Sequence, residues 1–160
     1  MTARNKKLDK FDRKILVELQ RNGRLSVKEL AEKVSLSHTP CLRRVAILEK
    51  EGFIERYKAV VNFKRAGLAI RAFALLRRRR DSNLDVWNKI AELDEVVSCC
   101  LVSGENDMMA EIYAEDMDHY TSILLNKITI IDGVDDARTM FVMKDLKSDG
   151  VINLMALAES

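Results

Sequence analysis

The sequence predicts an α+β chain in two parts, an N-terminal helix-turn-helix (winged-helix-like) unit and a C-terminal ferredoxin-like βαββαβ sandwich. Three observations predict it. Apolar residues recur at helical spacing up to about position 50, strand-like alternation with intervening helices follows position 70, and the net charge changes sign between the halves. The boundaries read as 1–53 for the helical unit, 54–69 for an extended linker and 70–160 for the sandwich.

Leu8, Phe11, Ile15, Leu16 and Leu19 set the first helix, which opens after Asp9 and stops at Asn22-Gly23. Ser26-Val27-Lys28-Glu29 has the capping-box form, with Leu30, Ala31 and Val34 as the apolar stripe of a short second helix. Ser35 and Leu36 alone separate it from Ser37, the N-cap of a third. Pro40 then falls at the third helical position, where the first turn has no intrahelical acceptors and a missing N–H removes nothing. Gly52 ends that helix.

Phe53, Ile54, Tyr57, Val60, Val61 and Phe63 read as the extended connector, broken by Ala66-Gly67. Strands are expected over 70–76, 97–102, 108–114 and 137–143, with helices near Leu84, Trp87, Ile90 and Ala91 and near Met117, Tyr120, Ile123, Leu124 and Ile128. Gly104-Glu105-Asn106-Asp107 turns the chain between the second and third strands, and Asp132-Gly133 ends the second of these helices. That order is the split βαβ sandwich.

With 48% apolar and 32% charged residues, the 160-residue chain has the balance of a core-forming protein. No apolar run approaches the roughly 18 residues needed to cross a bilayer, and the N-terminus lacks an apolar signal segment, so a cytoplasmic protein with no membrane association is expected. Cys41, Cys99 and Cys100 lack metal-ligand spacing and are expected as reduced thiols, with one of the adjacent pair buried and the other outward. Neither a metal nor another cofactor is expected.

Residues 1–63 carry 15 Lys and Arg against 8 Asp and Glu, a balance of +7, while 64–160 carry 12 against 17, a balance of −5. One part is therefore suited to a polyanion. On a helical wheel, Cys41, Leu42, Val45 and Leu48 form a core side, and Thr39, Arg43, Ala46, Ile47 and Lys50 lie opposite. Two short helices in tight sequence, the second with an outward polar and cationic side, suit entry into the major groove of double-stranded DNA. The expected contacts are Ser37, His38, Thr39, Arg43, Arg44 and Lys50, with Arg43 bidentate to guanine and Arg44 reaching a phosphate. A merely solvated face or a protein-binding module also fits this wheel; the capping box, the spacing and the +7 charge favour DNA.

The segments LDKFDRKILVELQRNGR, LSVKELAEKVSLSHTPCLRRVAILEKEGFIERYKAVVNF, LVSGENDMMAEIYAEDMDHY and DGVDDARTMFVMKDLK resemble the Lrp/AsnC (feast/famine) regulators along nearly the whole chain. The resemblance implies a transcriptional regulator, not an enzyme, whose sandwich dimerises through its sheets and assembles to octamers. It also implies an amino acid or related effector bound by Leu101, Val102, Ser103, Gly104 and Asp107 with Thr139, Met140 and Phe141, altering assembly or DNA occupancy. Read without the resemblance, G-E-N-D is a plain hairpin turn, the commonest use of such residues. Two departures stand out: Asn106 and Met108 replace usual aromatics, which points to an unusual effector and gives leucine no support, and Ala46 and Ile47 replace usual cations. Arg77-Arg78-Arg79-Arg80 reads either as a solvated strand end or as an extended basic track. A ligand-independent protein that wraps DNA, and an enzyme resembling siroheme decarboxylases, are the competing functions.

Overall fold

A computed structural model describes residues 7–148 and 150–156. The described residues form two compact units, one from 7–60 together with 147–148 and 150–156, the other from 61–146.

In the first unit, helices α1 (Lys10–Arg21), α2 (Val27–Val34) and α3 (His38–Lys50) follow the expected order. All three are short, so caps and packing decide whether they form. Asp9 caps α1, its Oδ1 accepting from the Asp12 N–H at 2.9 Å. At α2, the Ser26 N–H donates to Glu29 Oε2 at 2.8 Å and the Glu29 N–H to Ser26 Oγ at 3.2 Å, the reciprocal box read from the sequence. Ser35 closes α2 in the left-handed region at φ 61°, where the Leu36 N–H reaches the Ala31 carbonyl at 2.9 Å. This makes the two-residue turn into α3 possible. Ser37 occupies the N-cap position with extended backbone but makes no side-chain cap bond.

Ile15, Leu16, Leu30, Ala31, Val34, Cys41 and Leu48 fill the core of this unit. Burying each large aliphatic side chain is worth about 1.5–3 kcal/mol. Leu42, expected inward, is 47% exposed, whereas Ile47, expected outward, is half-buried. Residues 151–156, expected with the sandwich, lie in this unit instead: Leu154 packs on the helical core, and a 3-10 turn covers Leu154–Ala156.

The second unit is β1 (Ile70–Arg78), α4 (Val86–Ala91), β2 (Val96–Leu101), β3 (Met108–Ala114), α5 (Met117–Ile123) continued by a π-turn over Leu124–Ile128, and β4 (Val134–Phe141). The sheet is antiparallel in the order β2-β3-β1-β4, as the split βαβ pattern requires. One face buries Ala72, Ala74, Leu76, Met108, Ala110, Ile112 and Ala114 against Trp87, Ile90, Tyr120, Ile123 and Ile128.

The small alanines on β1 and β3 leave room for the bulky helix side chains above them. The opposite face presents half-buried Arg71, Phe73, Leu75, Met109, Glu111 and Tyr113. Arg71 Nε donates to Glu111 Oε1 at 2.7 Å and Arg71 Nη1 to Asp145 Oδ1 at 2.6 Å.

Two boundaries differ from expectation. Strand β1 runs on through Arg77 and Arg78, which pair with Asp136 and Val134 across a bulge. Strand β4 starts immediately after Gly133 and ends at Phe141, which leaves Met143 exposed beyond it. At Gly133, with φ +105°, a Cβ would lie 2.8 Å from Ser82 Cβ, so glycine is needed for both conformation and space. Cys99 is half-buried and Cys100 exposed, the division expected for neighbours on a strand. Among the described residues no helix is long and apolar enough to cross a membrane, and no group of three or more His, Cys, Asp or Glu is placed to hold a metal.

Candidate functional site

The N-terminal end of α3 presents Ser37, His38 and Thr39 to solvent, with Arg43 one turn further along and Lys50 in the last turn. All five are exposed, while Cys41 and Leu48 on the other side are completely buried. Arg43 makes no ion pair with any described residue, so its guanidinium fork is open to solvent.

Arg44, expected at a phosphate, also has partners within the protein. Its Nη1 donates to Asp9 Oδ2 at 2.6 Å and to Asp12 Oδ1 at 2.8 Å, and its guanidinium lies 5.5 Å from the centroid of the Phe11 ring. Asp12 is 1% exposed. A buried carboxylate is costly without a counter-charge, so the arginine is drawn inward to it. These two carboxylates hold the Arg44 pKa above its usual value. Burial pushes the Asp9 carboxyl up, but the Asp12 N–H and Arg44 outweigh it and hold the pKa below the usual 3.8. The result is a clamp from α1 to α3. Asp9 and Asp12 were legible only as the start of a helix; nothing in their spacing names a partner 32 residues away.

Tyr57, in the connector, donates from its hydroxyl to Glu49 Oε1 at 2.9 Å. Burial, and then the Glu49 carboxylate, push its pKa to about 12.

In the second unit, the β2–β3 turn is held at its base. The Val102 N–H donates to the Asp107 carbonyl at 2.9 Å, and the Asp107 N–H to the Leu76 carbonyl at 2.9 Å. Asp107 Oδ2 accepts from the Arg78 N–H at 2.8 Å, so one oxygen of the expected ammonium acceptor already serves the fold. Leu101, Val102, Ser103 and Gly104 are exposed. Gly104 adopts φ +125° with open space on its Cβ side, the backbone freedom that a close approach to a ligand uses.

Thr139 and Phe141 pair with Ala74 and Ala72 and so point to the helix-covered face, while Met140 points to the open face. Buried Tyr120 links the first two, its hydroxyl 2.7 Å from Thr139 Oγ1 and its ring edge-on to Phe141 at 5.1 Å. Burial raises the Tyr120 pKa against the opposing pull of Thr139.

The expected effector residues thus form two groups. Leu101 on β2 shares a cross-strand row with Met108, Leu76 and Ala137, so β3 and β1 separate it from β4. Three strand spacings amount to about 14 Å. Leu101 and the β4 residues thus lie at opposite edges of the sheet, with Asp107, bonded to Leu76 and Arg78 of β1, between them.

The arginine run is largely committed. Arg77 Nε donates to Asp135 Oδ2 at 2.9 Å, and Arg79 reaches Asp81 and Asp132, both at 2.8 Å. Arg78 Nη1 donates to the Ser82 carbonyl. The arginines with Asp81, Asp107 and Asp135 line one concavity. Carboxylates among and around them compensate most of its charge, which favours the strand-end reading over a basic track.

Residues 8–55 match the description "winged helix-turn-helix DNA-binding", and residues 71–152 match "Lrp/AsnC ligand binding domain". The chain belongs to the Lrp/AsnC family. This Lrp/AsnC chain is a DNA-binding transcriptional regulator with a ligand-binding domain. It is 40% identical over 154 residues to the leucine-responsive regulatory protein of Haemophilus influenzae, covering 94% of this chain and 93% of that one. The leucine-responsive regulatory protein of Escherichia coli is 39% identical over 145 residues, covering 89% and 88%.

Two solved structures are similar throughout. A transcriptional regulator of Neisseria meningitidis in complex with L-Met superposes with a TM-score of 0.84 at 36% identity, over 91% of this chain and 96% of that one. A feast or famine regulatory protein of Mycobacterium tuberculosis, complexed with L-methionine, gives 0.83 at 27% identity, over 89% and 96%. Both of these curated relatives are regulatory proteins.

Proposed function

We propose that this Lrp/AsnC regulator reads double-stranded DNA through Ser37, His38, Thr39 and Arg43, with Lys50 on the backbone, and that its sandwich binds an amino acid or a related small metabolite. The observation that carries the DNA reading is the polarity of α3: Thr39 and Arg43 exposed on one side, Cys41 and Leu48 fully buried on the other. An outward, unpaired arginine near the start of a groove-entering helix is suited to guanine N7 and O6.

The effector residues are Leu101, Val102, Ser103, Gly104 and Asp107 from one group and Thr139, Met140 and Phe141 from the other. Their separation across the sheet supports a site completed by a second copy of the chain. The protein is therefore proposed to act as a cytoplasmic homodimer, joined through the open sheet face, that assembles further to an octamer. L-Met complexes of similar structures support an amino-acid effector. Ligand shifts DNA occupancy only as far as it prefers one assembly over another.

The experiment pairs Arg43→Ala with titration of specific and unrelated DNA. Loss of a bidentate base contact removes about 1–3 kcal/mol of discrimination. Equal weakening on both DNAs overturns base reading by Arg43. L-methionine at about 100 times its dissociation constant stabilises the fold by about 2.7 kcal/mol. No thermal shift with any amino acid turns the reading toward ligand-independent wrapping.

A further inference from the structure

The core of the sandwich holds a single tyrosine among aliphatic, Met and Trp side chains. Asp116 caps α5, its Oδ1 accepting from the His119 N–H at 2.8 Å, and this sets Tyr120 on the inward side of the helix with Ile123. Tyr120 is 2% exposed. Ala74 and Ala72, both completely buried, face Thr139 and Phe141 across the β1–β4 pair, and their small side chains leave space for the ring. A phenylalanine would fill the same volume and bring no polar group into the core. Packing therefore accounts for the ring of Tyr120 but not for its hydroxyl.

That hydroxyl lies 2.7 Å from Thr139 Oγ1, its one partner among the described residues. The direction of the bond follows from what each group can satisfy. If Thr139 donated, the Tyr120 O–H would have no acceptor inside the core, a costly arrangement. Tyr120 therefore donates and Thr139 Oγ1 accepts, which leaves the Thr139 proton for a different acceptor. Thr139 is half-buried, and Phe141, two residues further on the same side of β4, is 40% exposed, so the core opens to the surface here. The Tyr120 ring also meets Phe141 edge-on, with centroids 5.1 Å apart. One buried side chain from α5 thereby fixes two neighbouring groups on β4.

We infer that Tyr120 is a positioning residue of the effector site, holding Thr139 as an outward hydrogen-bond donor and Phe141 as a wall beside it for an amino-acid effector that brings an acceptor oxygen to β4, an assignment that rests on the effector reading proposed above. Tyr120 itself is covered and acts through these two residues. It commits the Thr139 hydroxyl to donating before any effector arrives, so the donor needs no reorientation on binding.

The test titrates the full chain by calorimetry with L-methionine, the amino acid held by two similar structures, and then with the other proteinogenic L-amino acids one at a time. The melting temperature of each variant is recorded without ligand. Tyr120→Phe keeps the ring and is expected to weaken binding about three- to tenfold, the range of one neutral hydrogen bond. Thr139→Val is expected to weaken binding at least as much and to lower the melting temperature, because it strands the Tyr120 O–H in the core. Combining the two removes the stranded group, so the double variant is expected to melt above Thr139→Val while its affinity stays within about twofold of that single variant. A merely structural role moves affinity and melting temperature together.

Binding by Tyr120→Phe within about twofold of the unaltered chain overturns the inference alone. So does a double variant that regains affinity along with its melting temperature, or one in which the two single losses multiply. If the unaltered chain binds none of the amino acids, the effector reading falls and the role of Tyr120 falls with it.

Discussion

Replacing Arg44 by Met separates two roles for one cation. The guanidinium sits 2.8 Å from Asp12, whose side chain is 1% exposed, and 2.6 Å from Asp9. Removing one partner from a fully buried ion pair costs about 3–5 kcal/mol. Arg44 is 26% exposed and Asp9 half exposed, so solvent takes up part of the loss, and about 2–3 kcal/mol is expected. In a unit of this size that lowers the melting temperature by about 10–20 °C. The assay is thermal unfolding followed by circular dichroism, with hydrogen exchange on α1 and α3 to assign the loss to the helical unit. Salt-dependent DNA titration runs alongside. If Arg44 instead meets a phosphate, the variant keeps its stability within about 0.5 kcal/mol, and its log affinity against log salt flattens by about one phosphate contact. That pair of results refutes the clamp.

Acid should loosen the same junction. The Asp9 pKa is lower folded than unfolded, so protons bind the unfolded chain more readily; the contribution is complete above the unfolded value near 3.8 and is lost as pH falls through the lower folded value. Asp9→Asn should flatten the acid limb of the stability curve. Leu48→Ala should cost about 2–5 kcal/mol in denaturant unfolding, because Leu48 is completely buried, whereas Leu42→Ala, at a half-exposed site, should stay within about 0.5. Gly133→Ala should destabilise the sandwich by about 1–3 kcal/mol through its φ of +105° and the Ser82 contact, and adding Ser82→Gly should recover only the steric part in the same assay.

How much was readable follows from the range of each interaction. Capping at Ser26, the helical start at Asp9, the stop at Gly52 and the tolerated Pro40 are local, and the structure places α1 to α3 within a residue or two of them. The sandwich order was equally legible, since β3 alternates cleanly from Met108 to Ala114. The ends of β1 and β4 were not, because charged cross-strand neighbours such as Arg77 and Asp136 replace the apolar alternation there. The Asp9 and Asp12 partners of Arg44 were not legible because they lie on a different helix, nor was the exposure of Leu42, because a wheel cannot show where neighbouring helices stop. The division of the effector residues between the two sides of the sheet also depended on register, which spacing alone does not supply. The return of Ile152 and Leu154 to α1 had no local signal: an unremarkable apolar tail meets one glutamine.

That return has a practical meaning for recombining regulators. A reading head cut at the connector would lose Leu154 from its core and leave Gln20 with no peptide to grip. Exchanging heads between relatives therefore requires grafting two stretches of sequence at once, the leading helices and the closing tail, with Gln20 and Ile152 transferred as a matched set.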